Sequence, residues 1–384
     1  MDDVLRRSQE ILASYEQIVR AELPEGAEIF DAHVHLGTDI DGMVGDFEEL
    51  VAVEERYGIS GAFMFCLDEP DRHPAFSAAN DRTLAYAERS NGRLVPFVRL
   101  DLAEQPIEEA RRCLDAGARG IKLHPRAQKF LLNDERLAPV FELAAERRVP
   151  ILIHGGRGLP PIADSLAELV ERYDGAQLII AHCGIADLAA LAERFSGRPG
   201  VFFDTSVWSA LDVLDLFRLV APEQVLYASD YPYGQQPASL LLALRTAKLA
   251  GLDEPQLRAL LGGSAQRIAN GEEPLPLSSP QGPESISQPL TFARIHAYLS
   301  MATPLLWTRQ ADTIGVLGLA LNACDERANG HREETEQIRE LLLVARDLWR
   351  TFPEVENEQD RVRTARLAFR LLHLANITAV TSAA

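Results

Sequence analysis

Cysteine is scarce in this 384-residue chain: Cys66, Cys113, Cys183 and Cys324 stand far apart, with no CxxC pair. That spacing supports neither a thiolate zinc site nor a disulfide framework, and it sets the expectation of a reducing compartment. Positive charge is short as well. Lys and Arg number 38 against 57 Asp and Glu, a formal net charge of −19. Without a basic stripe to track phosphates, no nucleic-acid partner is expected. No uncharged apolar run approaches the length of a membrane span, so no membrane partner is expected either. The opening MDDVLRRSQEILASYEQIVRAEL has an amphipathic helical pattern with charges throughout, unlike a signal peptide. The expectation is a soluble, cytoplasmic protein. Its 47% apolar content is enough for a sizeable core.

What the chain does have is alternation. From Glu28 to about Ala250, eight apolar strand-like runs occur: EIFDAHVH, ISGAFMFCL, RLVPFVRL, RGIKLH, VPILIHG, AQLIIAH, GVFFDTS and QVLYASD. Helical patterns separate them, among them GDFEELVAVEERYG and RLAPVFELAAERR, with Gly or Pro at most of their ends. Continuous apolar strands divided by helices predict a parallel sheet. Eight such units over some 220 residues fit a (β/α)8 TIM barrel better than an open, doubly wound sheet. The stretch DEPQLRALLGGSAQRIAN then reads as a helix–turn–helix end to the barrel. The expected organisation is an N-terminal helix (1–27), the barrel (28–270), a Pro/Ser/Gly-rich linker (271–289) and a helical C-terminal extension (290–384). Asn329-Gly330 and Phe352-Pro353 are the turn signals within that extension.

The chemistry gathers at strand ends. His33 and His35 lie in the first run, His124 follows the fourth, and His154, His182 and Asp230 close the fifth, sixth and eighth. Side chains at i and i+2 of a strand share a face, so His33 and His35 can bind one cation. A closed ring of strands would bring the other ends to the same mouth. Scattered, locally bonded histidines are the bland alternative, but five of nine in such positions is hard to reach by scatter. Neutral imidazoles with a carboxylate form the ligand set of a catalytic zinc or similar divalent ion.

The motifs DAHVHLG, GIKLHP, ILIHGG, AHCG and ASDYP, in this order, resemble the amidohydrolase superfamily, and most closely its amidohydrolase-related, aminocarboxymuconate semialdehyde decarboxylase-like branch. The resemblance spans roughly residues 28–270. It implies that His33, His35, His154 and Asp230 bind one divalent metal, zinc first, with manganese, iron or cobalt as alternatives. It implies His182 as acid/base or second ligand and Asp230 as the group that moves the proton. Such a metal lowers the pKa of its water from about 15.7 toward 7. Lys122 leaves a second arrangement open, since binuclear members carbamylate a strand-four lysine to bridge two ions. GGSAQRI carries Ser264 where the family motif has an asparagine, commonly a structural cap, so the departure touches little chemistry.

Substrate signals are fewer. Lys122 and His124 share a face near the end of the fourth strand, and Arg126 and Arg157 follow motif histidines. Arginine suits bidentate capture of a carboxylate, although solvated loop arginines explain both positions equally. Trp208 follows the seventh strand and is a candidate pocket wall. Arg93 and Arg99 flank the third strand with no comparable reason for a role. The leading expectation is metal-dependent hydrolysis of a small-molecule amide, ester or lactone. The alternatives are a non-oxidative decarboxylase or hydratase of a carboxylated substrate at the same site, or a catalytically silent binding protein. The helical extension shows no ligand set. It is expected to pack as a bundle on the barrel or on a second copy of the chain, giving a homo-oligomer.

Overall fold

The computed structural model describes residues 2–307, 313–325, 331–351, 355 and 357–382. Parallel strands β1 (Ile29–Thr38), β2 (Ile59–Cys66), β3 (Leu94–Arg99), β4 (Gly120–Leu123), β5 (Pro150–Ile153), β6 (Gln177–Ile180), β7 (Val201–Asp204) and β8 (Val225–Leu226) each pair with the next in chain order. A two-residue antiparallel return, Val44–Gly45, flanks β1. The ring closes through backbone bonds: Ala32 N–H to Tyr227 O (2.9 Å), Asp230 N–H to His33 O (3.0 Å) and His35 N–H to Tyr231 O (2.7 Å). The (β/α)8 barrel is therefore the fold.

The period of two sorts each strand. In β5, Ile151 and Ile153 face the surrounding helices, while Leu152 joins Phe63, Phe97, Ile179 and Phe202 inside the ring. The outer layer comprises α1 (Asp2–Glu22), α2 (Phe47–Tyr57), α3 (Ser77–Arg89), α4 (Pro106–Asp115), α5 (Ala138–Arg147), α6 (Ala163–Arg172), α7 (Leu188–Phe195), α8 (Ala210–Leu219) and α9 (Ala238–Ala250). Local signals set their limits. Asp46 caps α2 by accepting from Glu49 N–H, and Gly58, at φ 68°, ends it in the left-handed region.

One expectation needs correction. The segment read as helix–turn–helix runs through without a turn, as α10 (Glu254–Arg258), a π-helical turn (Ala259–Gly263) and α11 (Ser264–Asn270). Gly262 is there for close approach rather than reversal: a Cβ would stand 2.6 Å from Glu28 O. Ser264 is buried and donates to Glu223 O at 2.8 Å, a structural role.

Residues 271–289 form no helix or strand. They are tied down where Ser278 N–H and Oγ–H both reach Glu223 Oε2 at 3.0 Å, and where Gln281 N–H donates to Phe217 O at 2.9 Å. Among the described residues four helices follow: α12 (Leu290–Trp307), α13 (Thr313–Cys324), α14 (Arg332–Thr351) and α15 (Glu358–Thr381). α15 packs on α8 and α9, and α14 packs on α1. Ile338, Leu342, Leu371 and Ile377 join the same apolar core as barrel residues such as Phe217 and Leu240. The turn signals at Asn329-Gly330 and Phe352-Pro353 lie outside the described residues. Among the described residues no helix is long and apolar enough to cross a membrane.

Candidate metal centre and cleft

The C-terminal ends of the strands bring His33, His35 and Asp230 together. The Nε2 atoms of His33 and His35 are 3.1 Å apart, and Asp230 Oδ1 lies 3.4 Å from each. Asp230 adopts φ 60°, a conformation unusual outside glycine, and so does His182 at φ 59°. Such backbone persists where the surroundings hold it. For Asp230 these include its own N–H bond to His33 O (3.0 Å) and the Gly234 N–H bond to Asp230 O (2.8 Å).

Phe65 forms the floor, with ring centroids 5.0 Å from His33 and 4.5 Å from His35, both edge-on. Lys122 Nζ sits 4.4 Å above the same ring and 3.4 Å from His33 Nε2.

A carboxylate that was not singled out in the sequence organises this layer. Asp204, at the end of β7, is fully buried and accepts from His33 Nδ1 through Oδ2 at 2.7 Å. Its Oδ1 accepts from His182 N–H (2.7 Å), from Ser206 N–H (3.1 Å) and from the Ser206 hydroxyl. His33 therefore carries its proton on Nδ1 and points an Nε2 lone pair at the cluster. His182 Nδ1–H donates to Ser206 O at 2.8 Å, so its Nε2 accepts from His154 Nδ1–H at 3.0 Å. His154 Nε2 is then a buried lone pair with no hydrogen-bond partner. His124 is stacked on His154, with centroids 4.0 Å apart. Its Nδ1 accepts from Ala127 N–H at 3.2 Å, which leaves Nε2–H as a donor. Asp31, also passed over in the sequence, accepts from His33 N–H and Ser229 N–H, tying β1 to the β8 loop.

Burial dominates the electrostatics. It lowers His33 to about 3, with Lys122 adding to the effect and Asp204 opposing it. His35, His124, His154 and His182 are lowered for the same first reason, so all five imidazoles are neutral electron-pair donors near pH 7. Burial also pushes Asp204 upward, but His33, His182 and Ser206 outweigh it and hold the carboxyl below its usual range. Lys122 is lowered by burial against the pull of Asp204 and Asp230, and burial raises Asp230 against the pull of Lys122.

The donor set fits a divalent cation. Ligands about 2.05 Å from a tetrahedral centre stand about 3.3 Å apart, and the three donor atoms of His33, His35 and Asp230 are 3.1–3.4 Å apart. His154 is outside this compact triad. It lines the same cleft as the triad, with its Nε2 buried. Among the described residues one other such cluster occurs, His73, Asp101 and Glu104, on the loops that follow β2 and β3 and more exposed.

The cleft has two adjoining lobes. The inner one, about 450 Å³, is lined by the triad with Lys122, His124 and Arg126. The outer, about 580 Å³, is lined by Arg157, Trp208, Arg126 and His154 among others. Every substrate-binding candidate from the sequence thus borders one lobe or both. Arg99, set aside in the sequence, also borders the inner lobe, almost wholly buried, donating to Cys66 O at 3.2 Å. The extension also contributes, which its sequence did not suggest: Ser300, Thr303 and Asn376 line the outer lobe, and His373 stacks on Trp208 at 5.0 Å. A larger groove of about 970 Å³, around Leu84, Gly92 and Asn270, holds none of these groups.

A family model described as amidohydrolase matches residues 30–268. The chain belongs to the amidohydrolase family. That match runs from β1 into α11 and stops before the extension. No curated protein matches in sequence. Among solved structures, a 2,6-dihydroxybenzoate decarboxylase complexed with 2,6-dihydroxybenzoate is similar at TM-score 0.50 and 14% identity, over 64% of this chain and 99% of that one. A putative amidohydrolase from Staphylococcus aureus reaches TM-score 0.51 at 15% identity, over 64% and 99%. A probable 2-pyrone-4,6-dicarboxylic acid hydrolase from Acinetobacter baumannii, with citric acid bound, reaches 0.50 at 11%, over 63% and 99%. At these identities the likeness concerns the fold.

Proposed function

We propose that this amidohydrolase-family chain is a metal-dependent hydrolase of a small, carboxylated amide, ester or lactone. The observation that carries the reading is the convergence of three oriented donor atoms, on His33, His35 and Asp230, at the floor of a cleft with cationic walls. His33, His35 and Asp230 would hold one divalent ion, zinc first, with His154 as the adjacent fourth donor. The ion supplies Lewis acidity toward water or a substrate carbonyl.

The chain's own groups do the rest. Asp230 takes the proton of the attacking water and delivers it to the leaving nitrogen or oxygen as the C–N or C–O bond breaks. His182, held by Ser206 through Nδ1–H, accepts from His154 at Nε2 and keeps that ring in place; with a second proton, taken up from the medium at Nε2, it would donate to the charge that develops on the carbonyl oxygen. Arg126 and Arg157 offer planar donors to a substrate carboxylate, and His124 offers Nε2–H.

A second reading is favoured by the buried basic groups of the inner lobe, Arg99 and Lys122. They suit a carboxylate placed beside the triad, where its C–C bond would break, leaving the electron pair on carbon. Asp230 or His182 would then protonate that carbon as CO₂ departs. Product analysis separates the two. Purified protein supplied with zinc or manganese is incubated with carboxylated lactones and esters and, in parallel, with hydroxybenzoates. Ring opening or ester cleavage without CO₂ supports hydrolysis. Stoichiometric CO₂ would replace it with the decarboxylase reading, and no turnover of either class would remove both.

A further inference from the structure

We infer that Arg366, on the last helix of the extension, is a positioning residue for the Asp230 end of the metal triad. The inference rests on the reading that the triad holds a cation. Arg366 is almost buried, and its two terminal nitrogens donate to the two carboxylate oxygens of Glu49 on α2, at 3.2 and 3.1 Å. Its guanidinium lies over the ring of Tyr231, 5.4 Å from the centroid.

Tyr231 connects this clamp to the site. It directly follows Asp230 in the chain and is fully buried. Its carbonyl accepts from His35 N–H at 2.7 Å, so it touches the backbone of a second triad member. Its hydroxyl donates to Asp46 O at 3.1 Å and accepts from Asp46 N–H at 3.2 Å. Asp46 caps α2, the helix that carries Glu49. Arg366, Glu49, Asp46 and Tyr231 thus make a closed circuit of contacts behind the loop on which Asp230 holds its positive φ. A residue in that conformation relaxes when its supports are removed. The extension would then be a working part of the metal site rather than an appendage, and the chemistry would depend on a helix outside the family-matched segment.

Cobalt(II) binding to the full-length chain tests this, read by visible absorption and by competition with a chelator. Arg366→Ala is expected to weaken Co²⁺ binding about tenfold, the lower end of what loss of a supporting contact around a metal ligand costs, and to alter the ligand-field band. Arg366→Lys keeps the charge but loses the planar fork and should fall between. Should Arg366→Ala fail to fold, Glu49→Gln, which keeps the shape and removes the partner charge, must weaken binding in the same direction. Leu342→Ala truncates the core of α14 and serves as control: it should lower stability and leave cobalt affinity unchanged. Wild-type affinity and spectrum in the folded Arg366 and Glu49 variants would overturn the positioning role, as would an equal loss in Leu342→Ala. A wild-type chain that binds no cobalt would instead overturn the metal reading itself.

Discussion

Asp204→Asn is the substitution from which most can be learned. The carboxylate faces donors on both sides: His33 Nδ1–H on Oδ2, and two backbone N–H groups with the Ser206 hydroxyl around Oδ1. An amide has one oxygen to offer. Placed toward His33, it turns its NH₂ against the N–H groups of His182 and Ser206. Placed the other way, it turns its NH₂ against His33. Either way a buried donor meets a donor, at a cost of about 1–3 kcal/mol in stability. The lost charge also makes His33 a poorer ligand. Supporting carboxylates of this kind are worth roughly 10- to 100-fold in metal affinity, or about 1.4–2.7 kcal/mol. The assay is chelator competition for zinc, with thermal melts of the same samples with and without metal. Both quantities should fall, and metal should recover less stability in the variant than in the wild type. A zinc affinity within twofold of wild type would refute the assigned role of Asp204.

Two further outcomes are expected. In Gly156→Ala the new Cβ would stand 2.8 Å from His154 Cε1 and 2.9 Å from His182 Cδ2; kcat/KM should drop about 10- to 100-fold, with metal held more weakly through the displaced His154, and unchanged kinetics would show that neither ring position matters. Glu54 is buried with neither oxygen hydrogen-bonded and only Arg93, at 4.0 Å, as a counter-charge, and burial, reinforced by Asp31 and opposed by Arg93, raises it from 4.5 to about 8. The native state therefore holds this proton where the unfolded chain has lost it, so stability should fall as pH rises from 4.5 to 8, by at most about 4–5 kcal/mol. Glu54→Gln should flatten that slope and be the more stable protein at pH 9; a parallel slope in urea titrations would contradict this origin.

The barrel was legible because continuous apolar strands and helical stripes alternate eight times, a pattern with few three-dimensional solutions. The His33–His35 pair was legible for the same reason, since i and i+2 share a face whatever the rest of the chain does. Asp204 was not. It ends the seventh run much as Asp230 ends the eighth, but one acid among 57 acidic residues carries no mark of its partners. Arg99 looked like a flanking charge because its inward direction depends on ring closure. The last run, QVLYASD, read as a full strand, yet only Val225–Leu226 pairs as one. Beyond it the chain bends toward Asp230, and single backbone bonds to β1 complete the ring. Gly262-Gly263 read as a turn because a glycine needed for close packing and one needed for reversal look alike in a sequence. The extension's contribution to the cleft was hidden most deeply. Amphipathic helices announce that they will pack, and their sequence does not say against what.

The central claim is that His33, His35 and Asp230 hold a divalent ion. Elemental analysis of the purified full-length chain and of His35→Ala, both dialysed against metal-free buffer, tests it most directly. The account predicts close to one divalent ion per chain in the wild type, and little in a His35→Ala protein that still gives the wild-type circular dichroism spectrum. A wild-type chain without metal that cannot be loaded with zinc, manganese or cobalt, or a His35→Ala variant that retains a full equivalent, would contradict it. Two ions per chain with a carbamylated Lys122 would replace the single-ion arrangement by the bridged one.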